Sequence, residues 1–352
     1  MTVERLRRLT FVSLDILILI LAILVTQWLS LSGTGSGYDA TTVCMDTYMQ
    51  QLLYGEDEEE TAALASEAAE NTESLLDWQQ PDSDIETLNS AAGTVWSELD
   101  SETIQVLAKA LDVAEKSEGA YDPTLLPLTS LWNFAGTTPS VPDSDSLSEA
   151  LSLCGYENLR INTEDNTASL YGHGNGVDLS NIMRGAGCDS VLNVYKDAGL
   201  TGGIVSLGNC VGVYGTKTDG SALSVSVHDP AGDDAAQLGT WSLPNGGVLA
   251  TAGWLETSFT KDGTEYSSLL DPQTGYPADS DCIAVTVWQE NGTTSAALSQ
   301  ACMVLGVENS LSLLEQYDAA AVFVTDEKEV LLYGDTDGFT LTVSDYTTRT
   351  LS

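Results

Sequence analysis

The sequence predicts an α+β fold, a single domain of mostly antiparallel sheet with packed helices, and three observations predict it. Acidic segments with alanine and leucine at helical spacing fill much of the first half. From Gly202 onward the pattern changes to short β-rich runs separated by Gly, Asp and Asn turns. Two more helical stretches then interrupt the last of these runs, an order that suits helices laid against one sheet.

Taken in chain order, Glu58 to Trp78 predicts an acidic helix. Glu102 to Lys116 predicts a second, stopped by Gly119, and Ser144 to Cys154 a third. The strand candidates are GGIVSLG (202–208), ALSVSVHDP (222–230), GGVLATAG (246–253), CIAVTVWQ (282–289), AAVFVTD (320–326) and EVLLYG (329–334). Helical spacing returns at Ser295 to Leu305 and at Asn309 to Gln316. No internal repeat or low-complexity tract stands out.

Ahead of this domain an apolar run extends from Leu9 to about Leu31, and every residue from Ile16 to Val25 is apolar. At about 1.5 Å per helical residue the run spans a hydrocarbon core of ~30 Å. Arg5, Arg7 and Arg8 precede it and should hold the N-terminus inside, which places everything beyond Ser32 outside. The expected organisation is an N-terminal anchor over 1–32, a linker over 33–42 that includes GTGSGY, and a folded domain over 43–352. This makes the chain a single-pass protein of the cell membrane with an extracytoplasmic domain. A cleaved signal peptide is the competing reading, because SLSG (30–33) offers small residues at the end of the run.

The chain has 12 basic and 52 acidic residues, for a formal net charge of −40. Such a body repels nucleic acid and anionic lipid surfaces, so neither is an expected partner. The acid excess suits solubility in an acidic or salty exterior, or a basic partner protein. Six cysteines (Cys44, Cys154, Cys188, Cys210, Cys282 and Cys302) include no CxxC pair and no metal-ligand spacing. An even count outside a membrane permits disulfides. Cys188 and Cys302 nevertheless lie in apolar helical stretches, where a buried thiol is the alternative.

Two stretches carry chemistry. In GAYDPTLLPLTSLWNF (119–134), Gly119 and Ala120 leave room for a flat ligand, Tyr121 offers a ring, and Asp122 and Thr124 offer polar anchors. In LLDPQTGYP (269–277), Asp271 heads a compact turn. The first stretch resembles the segment that cradles FAD in the ApbE family, the FAD:protein FMN transferases, and the second resembles that family's D-P-x-T-G-x-P signature. CMDTYM (44–49), PDSDIETLN (81–89), VDLSNIMRGAGCD (177–189), VSLGNCV (205–211), HDP (228–230) and LATAG (249–253) match further family segments in order. The resemblance runs from about Val43 to Tyr333.

The resemblance implies phosphoryl transfer. A threonine or serine hydroxyl of an exported flavoprotein attacks the FMN-side phosphorus of FAD, AMP leaves, and FMN stays attached. It places Met45, Gly119, Ala120, Tyr121, Asp122, Ser180 and Arg184 around FAD, with Asp178 and Asp271 as candidate catalytic carboxylates. Mg2+ is the expected cofactor. The family holds it with a backbone carbonyl, which falls at Met183, and with an aspartate and a threonine four residues apart on the helix ending in V-L-G. Counting back from Val304-Leu305-Gly306 puts Ala296 and Gln300 at those two ligand positions. Ser268 replaces a frequent histidine, Asn209 stands in the G-G-D strand end, Ala252 replaces a serine, and Arg184 replaces a lysine. No cysteine closes the apolar run, so the lipid attachment common in the family is not supported.

Residue by residue, simpler readings stand beside these. Tyr121 and Trp132 suit a core, Asp122 a turn, Asp271 a tight turn that it caps itself, Asp178 a fixed loop, and His228 a strand end. Two functions therefore follow: an FMN transferase, or a catalytically impaired relative that binds flavin or a partner.

Overall fold

The computed structural model describes residues 37–134, 136, 138–232, 236–253 and 257–352. The apolar N-terminal run, and with it the expected anchor or signal, lies outside the described residues. Among the described residues no helix is long and apolar enough to cross a membrane.

Strand β14 (Ala320–Val324) shows how the molecule is layered, because all five of its residues are buried. Its side chains alternate between faces. Ala320, Val322 and Val324 enter one core, Ala321 and Phe323 another. β14 is one of nine strands in a sheet that is covered on both sides. In spatial order these are β1 (Tyr38–Cys44), β2 (Thr47–Tyr54), β6 (Gly202–Leu207), β7 (Cys210–Gly215), β10 (Gly247–Gly253), β13 (Ala284–Gln289), β14, β15 (Glu329–Tyr333) and β17 (Thr347–Thr350). Every pairing is antiparallel except β15 with β17. The expected mostly antiparallel α+β domain is therefore present.

One face packs on helices α1 (Glu58–Leu76), α3 (Ser101–Lys116), α6 (Met183–Asp197), α7 (Gly292–Leu305) and α8 (Val307–Gln316). The other packs on a three-stranded sheet of β8 (Leu223–His228), β9 (Gln237–Leu243) and β16 (Phe339–Leu341), around the buried Trp241. Smaller elements surround the helical layer: α2 (Asp84–Ser90), α4 (Leu126–Trp132), α5 (Ser144–Ser152), a sheet of β3 (Ser97–Glu98), β5 (Thr167–Leu170) and β4 (Leu159–Asn162), and the hairpin β11 (Ser258–Lys261) with β12 (Thr264–Ser267).

Several elements differ from the sequence expectation. Residues 38–42, read as the end of a linker, form most of β1. The polar stretch around residue 84 contains helix α2, whose start is fixed by Ser83 Oγ accepting from the Glu86 N–H at 3.0 Å. Ser83 and Glu86 have capping-box spacing, the local signal for that helix. α4 lies inside the GAYDP stretch, with Pro127 in its first turn, where the missing N–H costs nothing. Cys188 and Cys302 are buried on α6 and α7, in keeping with the thiol alternative.

Helices α6 and α7 meet at glycine. A Cβ on Gly185 would lie 2.2 Å from the Gly292 carbonyl oxygen, and one on Gly292 would lie 2.3 Å from the Gly185 oxygen. Asp189 on α6 completes the contact by capping α7 across the interface. Its carboxylate accepts from the Thr293 N–H (3.0 Å), the Thr293 hydroxyl (2.8 Å) and the Asn291 amide (2.7 Å). An anion at a helix N-terminus satisfies otherwise unpaired N–H groups. Burial nonetheless raises the Asp189 pKa above its usual range, with the Thr293 and Gly292 N–H groups pulling it the other way. The helix that bears positions 296 and 300 is thereby fixed against α6.

Candidate functional site

The two signature stretches touch. Trp132, at the end of α4, is fully buried, and its indole N–H donates to the Gly275 carbonyl at 2.9 Å. Phe134, Phe259, Tyr266 and Tyr276 surround it at ring-centroid distances of 5.4 to 6.4 Å. This cluster and the small core under α4 and α5 hold the DPQTG turn beside the GAYDP stretch.

Between them opens a cavity of about 550 Å³. The structure brings Met45, Ala120, Tyr121, Asp122, Asp178, Ser180, Met183, Arg184, Ser268 and Gln300 to its wall, from segments far apart in sequence. Gly119 is not among the lining residues. With φ +83° it turns the chain after α3, and its N–H closes on the Ala114 carbonyl at 2.8 Å. Sequence reasoning missed Trp78 and Thr129, which also line the cavity. Trp78 follows α1 directly, and an aromatic just past a helix end was its only local signal.

Met45 and Asp46 form the tip of the β1–β2 hairpin, both at positive φ (52° and 55°). Asp46 thus adopts the left-handed conformation that glycine meets most easily. The Met45 side chain is buried against Gly187, and its carbonyl accepts from Arg184 Nη2 at 3.3 Å. Helix α6 opens at Met183 with no side-chain cap, beside Arg184 on the same wall.

Three carboxylates have different surroundings. Asp271 faces an adjoining groove of about 450 Å³ rather than the cavity. Both its oxygens serve its own turn, accepting from the Gln273 N–H (2.8 Å) and the Thr274 hydroxyl (3.0 Å). The turn-capping reading describes these contacts. Asp178 lines the cavity but is pinned by the Thr129 hydroxyl (2.7 Å) and the Ser180 N–H (3.0 Å). Asp122 is buried, and desolvation raises its pKa from 3.8 to about 6, against the opposing pull of the Thr124 hydroxyl and N–H.

Asp122 is also a pH lever. A folded state with a raised carboxyl pKa keeps a proton that the unfolded chain has released, so its stabilising effect is full below about pH 4. That effect is lost as pH rises through about 6. Asp122→Asn should flatten this slope and raise stability at pH 7 by on the order of 2–3 kcal/mol. Urea midpoints measured from pH 4 to 8 check it; an unchanged slope would remove Asp122 as the cause.

Tyr121 carries the strongest sign of a ligand. Its ring is buried, it lines the cavity, and its hydroxyl has no hydrogen-bond partner among the described residues. A buried orphan hydroxyl costs about 1–3 kcal/mol unless something else satisfies it.

The donors do not fit a magnesium ion. Ala296 is buried away from the cavity, its methyl 3.0 Å from where a Cβ on Gly185 would lie. Gln300 reaches the cavity but carries only a neutral amide. Among the described residues no group of three or more His, Cys, Asp or Glu is arranged to hold a metal. A hard cation that sheds water reluctantly needs anionic oxygen.

Fold and cavity together define an α+β domain with a half-open cavity between the GAYDP and DPQTG stretches, on whose wall Arg184 is the one guanidinium among the described residues. The ApbE family profile matches residues 45–323, and the chain belongs to that family. A relative named FAD:protein FMN transferase from Treponema pallidum (strain Nichols) is 30% identical over 272 residues, covering 73% of this chain and 75% of that protein. The crystal structure of the ApbE protein from Thermotoga maritima superposes with a TM-score of 0.76 at 26% identity, covering 87% of this chain and 97% of that one. The apo flavinyl transferase ApbE of Pseudomonas stutzeri gives 0.73 at 27% identity, covering 87% and 94%.

Proposed function

We propose that this chain binds FAD and transfers its FMN half to a threonine or serine of an acceptor flavoprotein. The observation that carries this is the cavity, where two signature stretches clamped by Trp132 present Tyr121 with its unpartnered hydroxyl. Relatives named for the same reaction support it. The acceptor hydroxyl oxygen forms a bond to the FMN-side phosphorus. The bond from that phosphorus to the bridging oxygen breaks, and AMP leaves with that oxygen. We assign the hydroxyl proton to Asp122, which lines the cavity next to Tyr121 and whose carboxyl pKa is pushed up to about 6 by burial. The cavity walls hold donor and acceptor in line, and in phosphoryl transfer positioning accounts for much of the rate. The apolar run after Arg8 supports a membrane-anchored, extracytoplasmic setting in which the acceptor is itself exported.

A second reading, a flavin-binding module without transfer, is favoured by the methyl of Ala296 and the neutral amide of Gln300. One assay separates the two. Purified protein is incubated with FAD and an acceptor flavoprotein, and the acceptor is examined after denaturation for covalent flavin fluorescence. A fluorescent acceptor band is the expected result. Bound FAD with a dark acceptor would leave only the binding module.

A further inference from the structure

The pyrophosphate of FAD brings two negative charges into a half-enclosed cavity, and unpaired charge there is costly. Three carboxylates line the wall among the described residues. Asp122 and Asp178 are engaged by hydrogen bonds, and Asp46 stands alone and exposed at the hairpin tip. That is too few anionic oxygens in one place to hold a divalent cation. Asp178 accepts from Thr129 and Ser180, and Asp189 caps α7. Position 296 is a methyl pressed toward Gly185.

One cation does line the cavity. Arg184 is the only Lys or Arg on its wall among the described residues. Its guanidinium lies over the turn at Gly208: Cδ, Nε and Nη1 sit 2.9–3.0 Å from where a Cβ would project, so a side chain there would have to push the guanidinium aside. Gly208 has φ +59°, which glycine also tolerates best. Among the described residues a single donor of the five is used, Nη2 to the Met45 carbonyl, which orients the fork without neutralising it. The uncapped first turn of α6 adds its positive dipole end beside it.

We infer that this chain holds the FAD pyrophosphate without a divalent cation, with the Arg184 guanidinium and the first turn of α6 supplying the positive charge. The inference rests on the flavin reading above and departs from it on the metal alone.

The test is equilibrium binding to the whole protein, by flavin fluorescence and calorimetry, in EDTA and in millimolar magnesium. FAD and riboflavin, which has no phosphate, are the two probes. FAD affinity should agree within about twofold between the two buffers. Arg184→Gln should weaken FAD about tenfold or more and riboflavin by less than about twofold, because a charge-assisted contact to phosphate is lost. Retained riboflavin binding shows that the variant is folded at the site. FAD binding that tightens tenfold or more with magnesium overturns the inference and leaves the flavin reading standing. An Arg184→Gln variant with unchanged FAD affinity also overturns it. If FAD fails to bind in both buffers, the flavin reading falls and takes this inference with it.

Discussion

Trp132→Ala is expected to cost about 3–5 kcal/mol of stability, the range for truncating a buried aromatic. Trp132 is fully buried, stacks on Phe134 at 5.4 Å, and meets Phe259, Tyr266 and Tyr276 edge-on or tilted. Its loss opens a void that four surrounding rings cannot refill, and it strands the Gly275 carbonyl without its donor. For a domain with a net stability of about 5–15 kcal/mol, that is a large fraction. Trp132→Phe separates the two contributions. It keeps most of the ring volume and loses the indole N–H, so its cost should be nearer 1–2 kcal/mol. Urea unfolding of both variants provides the measurement. Equal costs would mean that the hydrogen bond, and not the packing, fastens the two signature stretches together.

Replacing Ala296 by Asp and Gln300 by Thr should make stability respond to magnesium. In EDTA the new carboxylate is buried against α6 with no cation beside it, and an uncompensated buried charge costs several kcal/mol. A fall in Tm on the order of 10 °C follows for a domain of this size. Millimolar magnesium should recover part of it, because an ion that binds only the folded state stabilises it by mass action. The unaltered chain should show no such shift. If the double variant melts identically with and without magnesium, the alignment of positions 296 and 300 with a metal site is wrong.

How much could be read beforehand depended on the distance over which each feature is encoded. Helices α1, α3, α5, α7 and α8 and strands β6, β8, β10, β13, β14 and β15 follow local periodicity, and the sequence pattern marks them, whereas it does not mark β7, β9, β11 and β12. The hairpin of β1 and β2 carries no such mark. Its turn is Met45-Asp46 with both residues in the left-handed region and no glycine, so the usual turn signal is missing. α4 was concealed for a different reason: the pattern that suggested a ligand cradle is also a short helix with a proline in its first turn. The resemblance named Met45, Tyr121, Asp122, Arg184 and Gln300 in advance, but their meeting was not derivable from spacing. Met45, Tyr121, Arg184 and Gln300 come together only after the sheet and the α6–α7 crossing have formed. Asp271 is the local case: the tight turn that the DPQTG spacing suggested is present, closed by its own carboxylate.

The hairpin of β11 and β12 has one more consequence. Among the described residues it pairs with no other strand, and it meets the rest of the molecule through Phe259 and Tyr266 on the Trp132 cluster. An isolated two-stranded ribbon is marginally stable in water, so ring contacts set its order and not a shared hydrogen-bond ladder. Opening it breaks none of the nine-stranded sheet. Its opening free energy is therefore local and lower than that of global unfolding. Ser268, which follows directly after β12, is part of the cavity wall. Amide hydrogens of the hairpin should therefore exchange with solvent long before those of β10 or β13.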